Sequence, residues 1–160
     1  MKRIISFLIV TLVITVALIY YYPTLVRYFS VHIDEVTSFS FSYTTGLIKD
    51  TTVLYTAVCE DNGECNAKVK LRGIADEDAV EVAVDKNFMR KIRNILEDNE
   101  VSKWNNYYET NTHALNGDEF TLKVEMANGD KITAYGYMKW PNNYGTVKTE
   151  FDNLFKDLVY

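Results

Sequence analysis

Residues 4–22 run for nineteen positions without a charge or a proline. A helix of that length spans roughly 28 Å at 1.5 Å per residue, about the thickness of a bilayer's hydrocarbon core. Lys2 and Arg3 come just before it, and Pro23 follows its closing Tyr20-Tyr21-Tyr22. A cleaved signal peptide carries a shorter apolar run that ends in small residues. Here the run leaves through Ala17-Leu18-Ile19-Tyr20 with no A-x-A pattern. A lipoprotein signal needs a cysteine just past the run, and the first cysteine is Cys59. An uncleaved signal anchor fits best, so residues 1–29 are read as a transmembrane helix with a short stalk. Only Arg27 balances Lys2 and Arg3 on the far side, so the positive-inside rule keeps the N-terminus cytoplasmic and exports residues 30–160.

The exported part, about 131 residues, suits one domain with a real core. Seventeen basic residues less Lys2, Arg3 and Arg27 leave 14 against 22 acidic ones, a net of −8. That balance argues against nucleic acid, which wants a basic stripe, and against docking on anionic lipid. Cys59 and Cys65 both lie in the exported part, where disulfides persist. With histidine only at His32 and His113, the two cysteines make no zinc-site spacing. They also lack the C-x-x-C spacing of a redox pair. A structural disulfide is the expectation. The acidic run at residues 76–78 lacks the spaced ligands of a calcium loop.

From Val36 the pattern alternates, with Phe39, Phe41 and Tyr43 on one face and Ser38, Ser40 and Ser42 on the other, which predicts a half-buried strand. Residues 52–59 and 65–72 make the next two strands around Asn62-Gly63. Setting Cys59 opposite Cys65 puts Ala57 against Ala67, Tyr55 against Val69 and Val53 against Leu71, all on one face. A slip of one residue would mix the faces. Val80, Val82 and Val84 predict a fourth strand. Asp85 stands at an N-cap position ahead of Phe88, Ile92, Ile95 and Leu96, which share one helical face.

Residues 101–119 show no clean period and are expected to be irregular. Two more strands follow, around Asn128-Gly129, with Phe120, Leu122 and Val124 inward on one and Ile132, Ala134 and Gly136 on the other. Trp140-Pro141 breaks the second. A last helix from about Gly145 presents Val147, Phe151, Leu154, Phe155 and Leu158. The predicted fold is therefore α+β: an N-terminal transmembrane helix, then an antiparallel sheet of about six strands with two helices on one face.

Residues 115–122 (LNGDEFTL), 128–132 (NGDKI), Gly136-Tyr137 and Pro141-Asn142-Asn143-Tyr144, with Trp104 upstream, resemble the C-terminal part of a loose group of uncharacterised bacterial exported, lipoprotein-like proteins. Members often read W…LDG..W.L.I.Y.DG..I...G…P.NF. Here Asn116 stands for the usual aspartate and Phe120 for the usual tryptophan, and no lipobox cysteine is present. The resemblance implies bacterial export and an α+β domain, and carries no activity.

No G-x-S-x-G, P-loop, dinucleotide fingerprint or H-E-x-x-H occurs, and no catalytic residue, metal ligand set or cofactor is assigned. The favoured function is a membrane-anchored extracytoplasmic binding or interaction module for a protein or cell-wall ligand. Its rivals are an envelope hydrolase with a carboxylate site and an accessory subunit of an envelope complex. The candidate ligand-binding residues are Trp104, Tyr107, Tyr108, Trp140 and Tyr144. Together with neighbouring asparagines they flank the two irregular segments, offering flat apolar faces beside amide donors and acceptors.

Overall fold

A computed structural model describes residues 31–46, 52–114 and 117–159, with Thr11, Ile14 and Thr15. The predicted anchor lies outside the described residues apart from those three, which are helical. Among the described residues, no helix is long and apolar enough to cross a membrane.

Among the described residues from 31 to 159, seven strands and two α-helices make one α+β layer pair. The strands are β1 (Val36–Thr44), β2 (Val53–Cys59), β3 (Cys65–Lys70), β4 (Val80–Val84), β5 (Tyr107–Thr110), β6 (Glu119–Met126) and β7 (Lys131–Tyr137). The helices are α1 (Lys86–Asp98) and α2 (Tyr144–Lys156). The sheet order is β4-β3-β2-β1-β6-β7-β5. The expectation of about six antiparallel strands is corrected on two counts. The stretch expected to be irregular contains β5, and β5 runs parallel to β7, pairing Tyr107 with Ala134 and Thr110 with Tyr137. A parallel neighbour needs a crossover. After β5 the chain crosses to β6, beside β1, and turns back as β7, which fills the place between β6 and β5 and so runs parallel to β5.

The predicted hairpin register is the observed one: Cys59 opposes Cys65, Ala57 opposes Ala67 and Tyr55 opposes Val69. The ladder ends at Leu54 and Lys70, one pair short of the predicted Val53–Leu71 contact. Cys59 and Cys65 form a disulfide, with Cα atoms 4.0 Å apart. Asp85 caps α1, accepting from the Phe88 amide at 2.9 Å.

Both helices bury one face on the same side of the sheet. Phe39 and Phe41, on the central strand β1, are fully buried and meet the Phe151 ring of α2 at 4.6 and 5.4 Å. The Phe155 ring stacks on Tyr55 at 4.8 Å and meets Phe88 of α1 edge-on at 5.2 Å. Ile92, Leu122, Val124 and Ile132 complete the centre, all fully buried, while Ile95 and Leu154 are half-buried at its margin. The other sheet face carries Ser38, Ser40, Thr121, Lys123 and Thr133. Lys70, on that face, is nonetheless buried because the turn at Asp76–Asp78 folds back and Asp76 pairs with its ammonium. That hydrogen bond holds the Asp76 carboxyl below its ordinary range.

Candidate functional site

Four of the five predicted aromatics meet at the end of the sheet where β5 and β7 finish and β6 begins, around the buried ring of Phe120. Its centroid lies 4.8 Å from Tyr144, 5.8 Å from Trp140, 6.0 Å from Trp104 and 6.2 Å from Tyr107. Trp140 stacks on Tyr144 at 4.7 Å, with the planes 22° apart. This packing needs Gly136. A Cβ there would collide with the Lys139 carbonyl oxygen and the Phe120 ring.

The two segments that carry the aromatics converge physically. The Trp104 indole N–H donates to the Asn142 carbonyl at 3.1 Å, tying the stretch before β5 to the turn before α2. Between them opens a hollow of about 500 Å³. Its aromatic lining is Trp104, Tyr107 and Trp140, and its amides come from Asn99, Asn142 and Asn143. Glu100 and Lys103 also line it and pair with each other at 2.6 Å, so the rim carries one matched ion pair.

The exposures divide the rings by role. Trp104 is 3% exposed and spends its only donor on Asn142, so it frames the hollow. Trp140 is 39% exposed and Tyr107 is half-buried, so these two present ring surface. Tyr144 lies beneath Trp140 and is not part of the lining. Its hydroxyl titrates well above the ordinary tyrosine range, chiefly through burial, with the nearby Tyr43 and Asp152 adding to the effect.

Tyr108 is not brought to this cluster. Adjacent strand residues point to opposite faces, so it emerges on the open face, 75% exposed and 4.9 Å from the Tyr135 ring. There it borders a separate hollow of about 370 Å³ with Thr121, Lys123, Thr133 and Tyr135.

Sequence reasoning left out Phe120 as the hub and Asn99, Glu100 and Lys103 as part of the rim. The Asn128-Gly129 hairpin does signal that Phe120 and Gly136 share a face, and the register pairs them directly. The rim residues follow α1, and only the crossover to β5 carries them to the turn at Pro141. One backbone feature adds to the side chains. Among the described residues, the non-glycine positions with left-handed backbone are Glu100, Asn106, Met138 and Asn143, at φ of 51°, 59°, 51° and 64°. Glu100, Met138 and Asn143 belong to the segments at this end of the sheet, while Asn106 lies beside Thr133, toward the start of β7. Such conformations cost free energy and persist where the surroundings impose them, often at ligand sites.

A hydrolytic site wants two carboxylates close together in a cleft. The aromatic hollow brings in one, Glu100, already paired with Lys103. A second acidic centre is Asp152 of α2. It accepts the Tyr43 and Tyr55 hydroxyls on one oxygen, at 2.7 and 2.9 Å, and the Lys148 ammonium on the other at 2.8 Å. Lys148 also sits 3.9 Å over the Tyr43 ring. With both oxygens engaged, this group ties α2 to β1 and β2. Among the described residues, no group of three or more His, Cys, Asp and Glu side chains is placed to hold a metal ion.

No protein-family model matches the chain, and no curated protein matches it.

Proposed function

We propose that the protein is a membrane-anchored extracytoplasmic binding module whose ligand is a neutral, sugar-containing fragment of the cell wall, held in the hollow between Trp104, Tyr107 and Trp140. What carries the reading is the coincidence in one concavity of three rings, three asparagines and two left-handed turn residues, Glu100 and Asn143. A hollow of about 500 Å³ has the volume of a small-ligand site. The apolar faces of a sugar ring stack on aromatic surface, and its hydroxyls match the amides of Asn142 and Asn143, which both donate and accept, while Asn99, whose amide nitrogen donates to Ile95 and Glu150, offers its side-chain oxygen. The internally matched pair Glu100–Lys103 leaves the rim without net charge, which favours an uncharged ligand.

Trp140 supplies the test, because its half-open indole would report occupancy. Titrating the full-length chain with soluble cell-wall fragments should change its tryptophan fluorescence. Trp140→Ala should abolish saturable binding, measured separately by calorimetry, while Tyr108→Ala, on the other face, should bind as wild type does. No saturable binding, or equal affinity in Trp140→Ala and wild type, ends the proposal.

A further inference from the structure

The other end of the sheet holds a different feature. Among the described residues β4 is a terminal strand, hydrogen-bonded on one side to β3, where Val80, Val82 and Val84 oppose Val69, Ala67 and Cys65. Its valines are poorly covered. Val80 is 42% exposed, and Val82 and Val84 are half-buried. An open strand edge with an apolar row is a template for another strand. We infer that this edge is a self-association surface, on which β4 of a second copy pairs antiparallel about a two-fold axis at Val82.

The occupant follows from the symmetry of the strand itself. Val-Glu-Val-Ala-Val reads with the same apolar spacing in both directions, so antiparallel self-pairing keeps all six valines on one face. With Val82 opposite Val82, Val80 of one copy falls opposite Val84 of the other. Val84 lines a hollow of about 540 Å³ in which Phe88 and Leu158 stand beside Asp85, Asn87, Arg90 and Lys91, so the exposed Val80 meets a lining that is half apolar and half polar. On the other face Glu81 falls opposite Ala83 rather than a second glutamate, and within its own sheet it already neighbours Lys68. Beyond the strand ends, antiparallel pairing points the acidic turn at Asp76–Asp78 of each copy toward the start of α1 of the other, where Lys86 stands. An isologous contact of this kind closes as a dimer and continues no further. The acidic run at Asp76, Glu77 and Asp78 makes a strand end with a net negative charge, so a shifted register that set two such ends together would be repelled.

The register is testable with single cysteines in the full-length chain in detergent. In antiparallel pairs, facing Cα atoms lie about 4.5–5.5 Å apart, within reach of a disulfide. Val82→Cys should therefore cross-link to itself on mild oxidation. Val80→Cys faces residue 84, leaving its own counterpart about 13 Å away, and should not cross-link. Val82→Lys sets two like charges face to face and should weaken association at least about tenfold by sedimentation, with its melting temperature near wild type. A monomeric wild type over a wide concentration range overturns the inference. So do equal cross-linking at positions 80 and 82 and a Val82→Lys chain that associates as wild type does.

Discussion

Asp152 and its two tyrosines give the domain a pH dependence that can be worked out in sign. Burial, first, and then the hydrogen bond to the Asp152 carboxylate hold the Tyr43 hydroxyl far above its ordinary value of 10.0. Tyr55, fully buried, is raised by burial and then by the neighbouring Tyr43 and Asp152. A tyrosine whose pKa is raised in the folded state keeps its proton while the unfolded chain loses it. The folded state then binds more protons above pH 10, so stability falls as pH rises. Below pH 10 both states are protonated and these residues contribute no slope. Denaturant titrations at stepped pH should therefore show a loss that begins near pH 10. Tyr55 contributes at most about 1.4 kcal/mol per pH unit. Tyr55→Phe should be less stable at neutral pH by about 1.5–3 kcal/mol, the net worth of a lost hydrogen bond to a carboxylate, and should decline less steeply above pH 10. An identical alkaline slope in the variant would show that Tyr55 ionises freely in the folded state.

The disulfide closes a short segment of the β2–β3 hairpin, its cysteines six positions apart. Cross-linking so small a loop removes little freedom from the unfolded chain, so reduction should cost about 2 kcal/mol, read as a drop in the urea midpoint with reductant present. A midpoint unmoved by reductant would mean the ladder alone fixes the hairpin. Register was legible here because its evidence is redundant. One pairing of Cys59 with Cys65 puts Ala57, Ala67, Tyr55 and Val69 on one face, and the same pairing puts Lys68 and Lys70 on the other. At β5 that redundancy is missing. Tyr107-Tyr108-Glu109-Thr110 is four residues long, lies at an edge, and sends one tyrosine to each face. An alternation so short has no contrast between its faces, and its parallel partner, β7, comes later in the chain. The aromatics flanking it were legible as a group, but which face each took depended on that strand. That is why Tyr107 joins Phe120 while Tyr108 packs on Tyr135.

At the scale of the whole chain, the proposed anchor and the observed disulfide make linked claims. Nineteen uncharged residues behind Lys2 and Arg3 would hold residues 30–160 outside the cytoplasm. A stable Cys59–Cys65 bond needs that compartment, since cytosolic thiols are kept reduced. The disulfide is therefore a reporter of topology. In a bacterial host, the full chain denatured under non-reducing conditions should leave both cysteines unreactive toward a maleimide. Deleting residues 4–22 should move the protein to the soluble fraction and make both cysteines reactive, because the domain then folds in reducing surroundings. Cys65 is 4% exposed in the fold, so labelling must be done after denaturation, where burial no longer protects it. The two readouts separate the claims. A full chain in the membrane fraction with both thiols reactive would keep the anchor but reverse its orientation, placing the aromatic hollow on the cytoplasmic side, away from any cell-wall ligand. A full chain found soluble would remove the anchor itself, and with it the reason for seeking the ligand in the envelope.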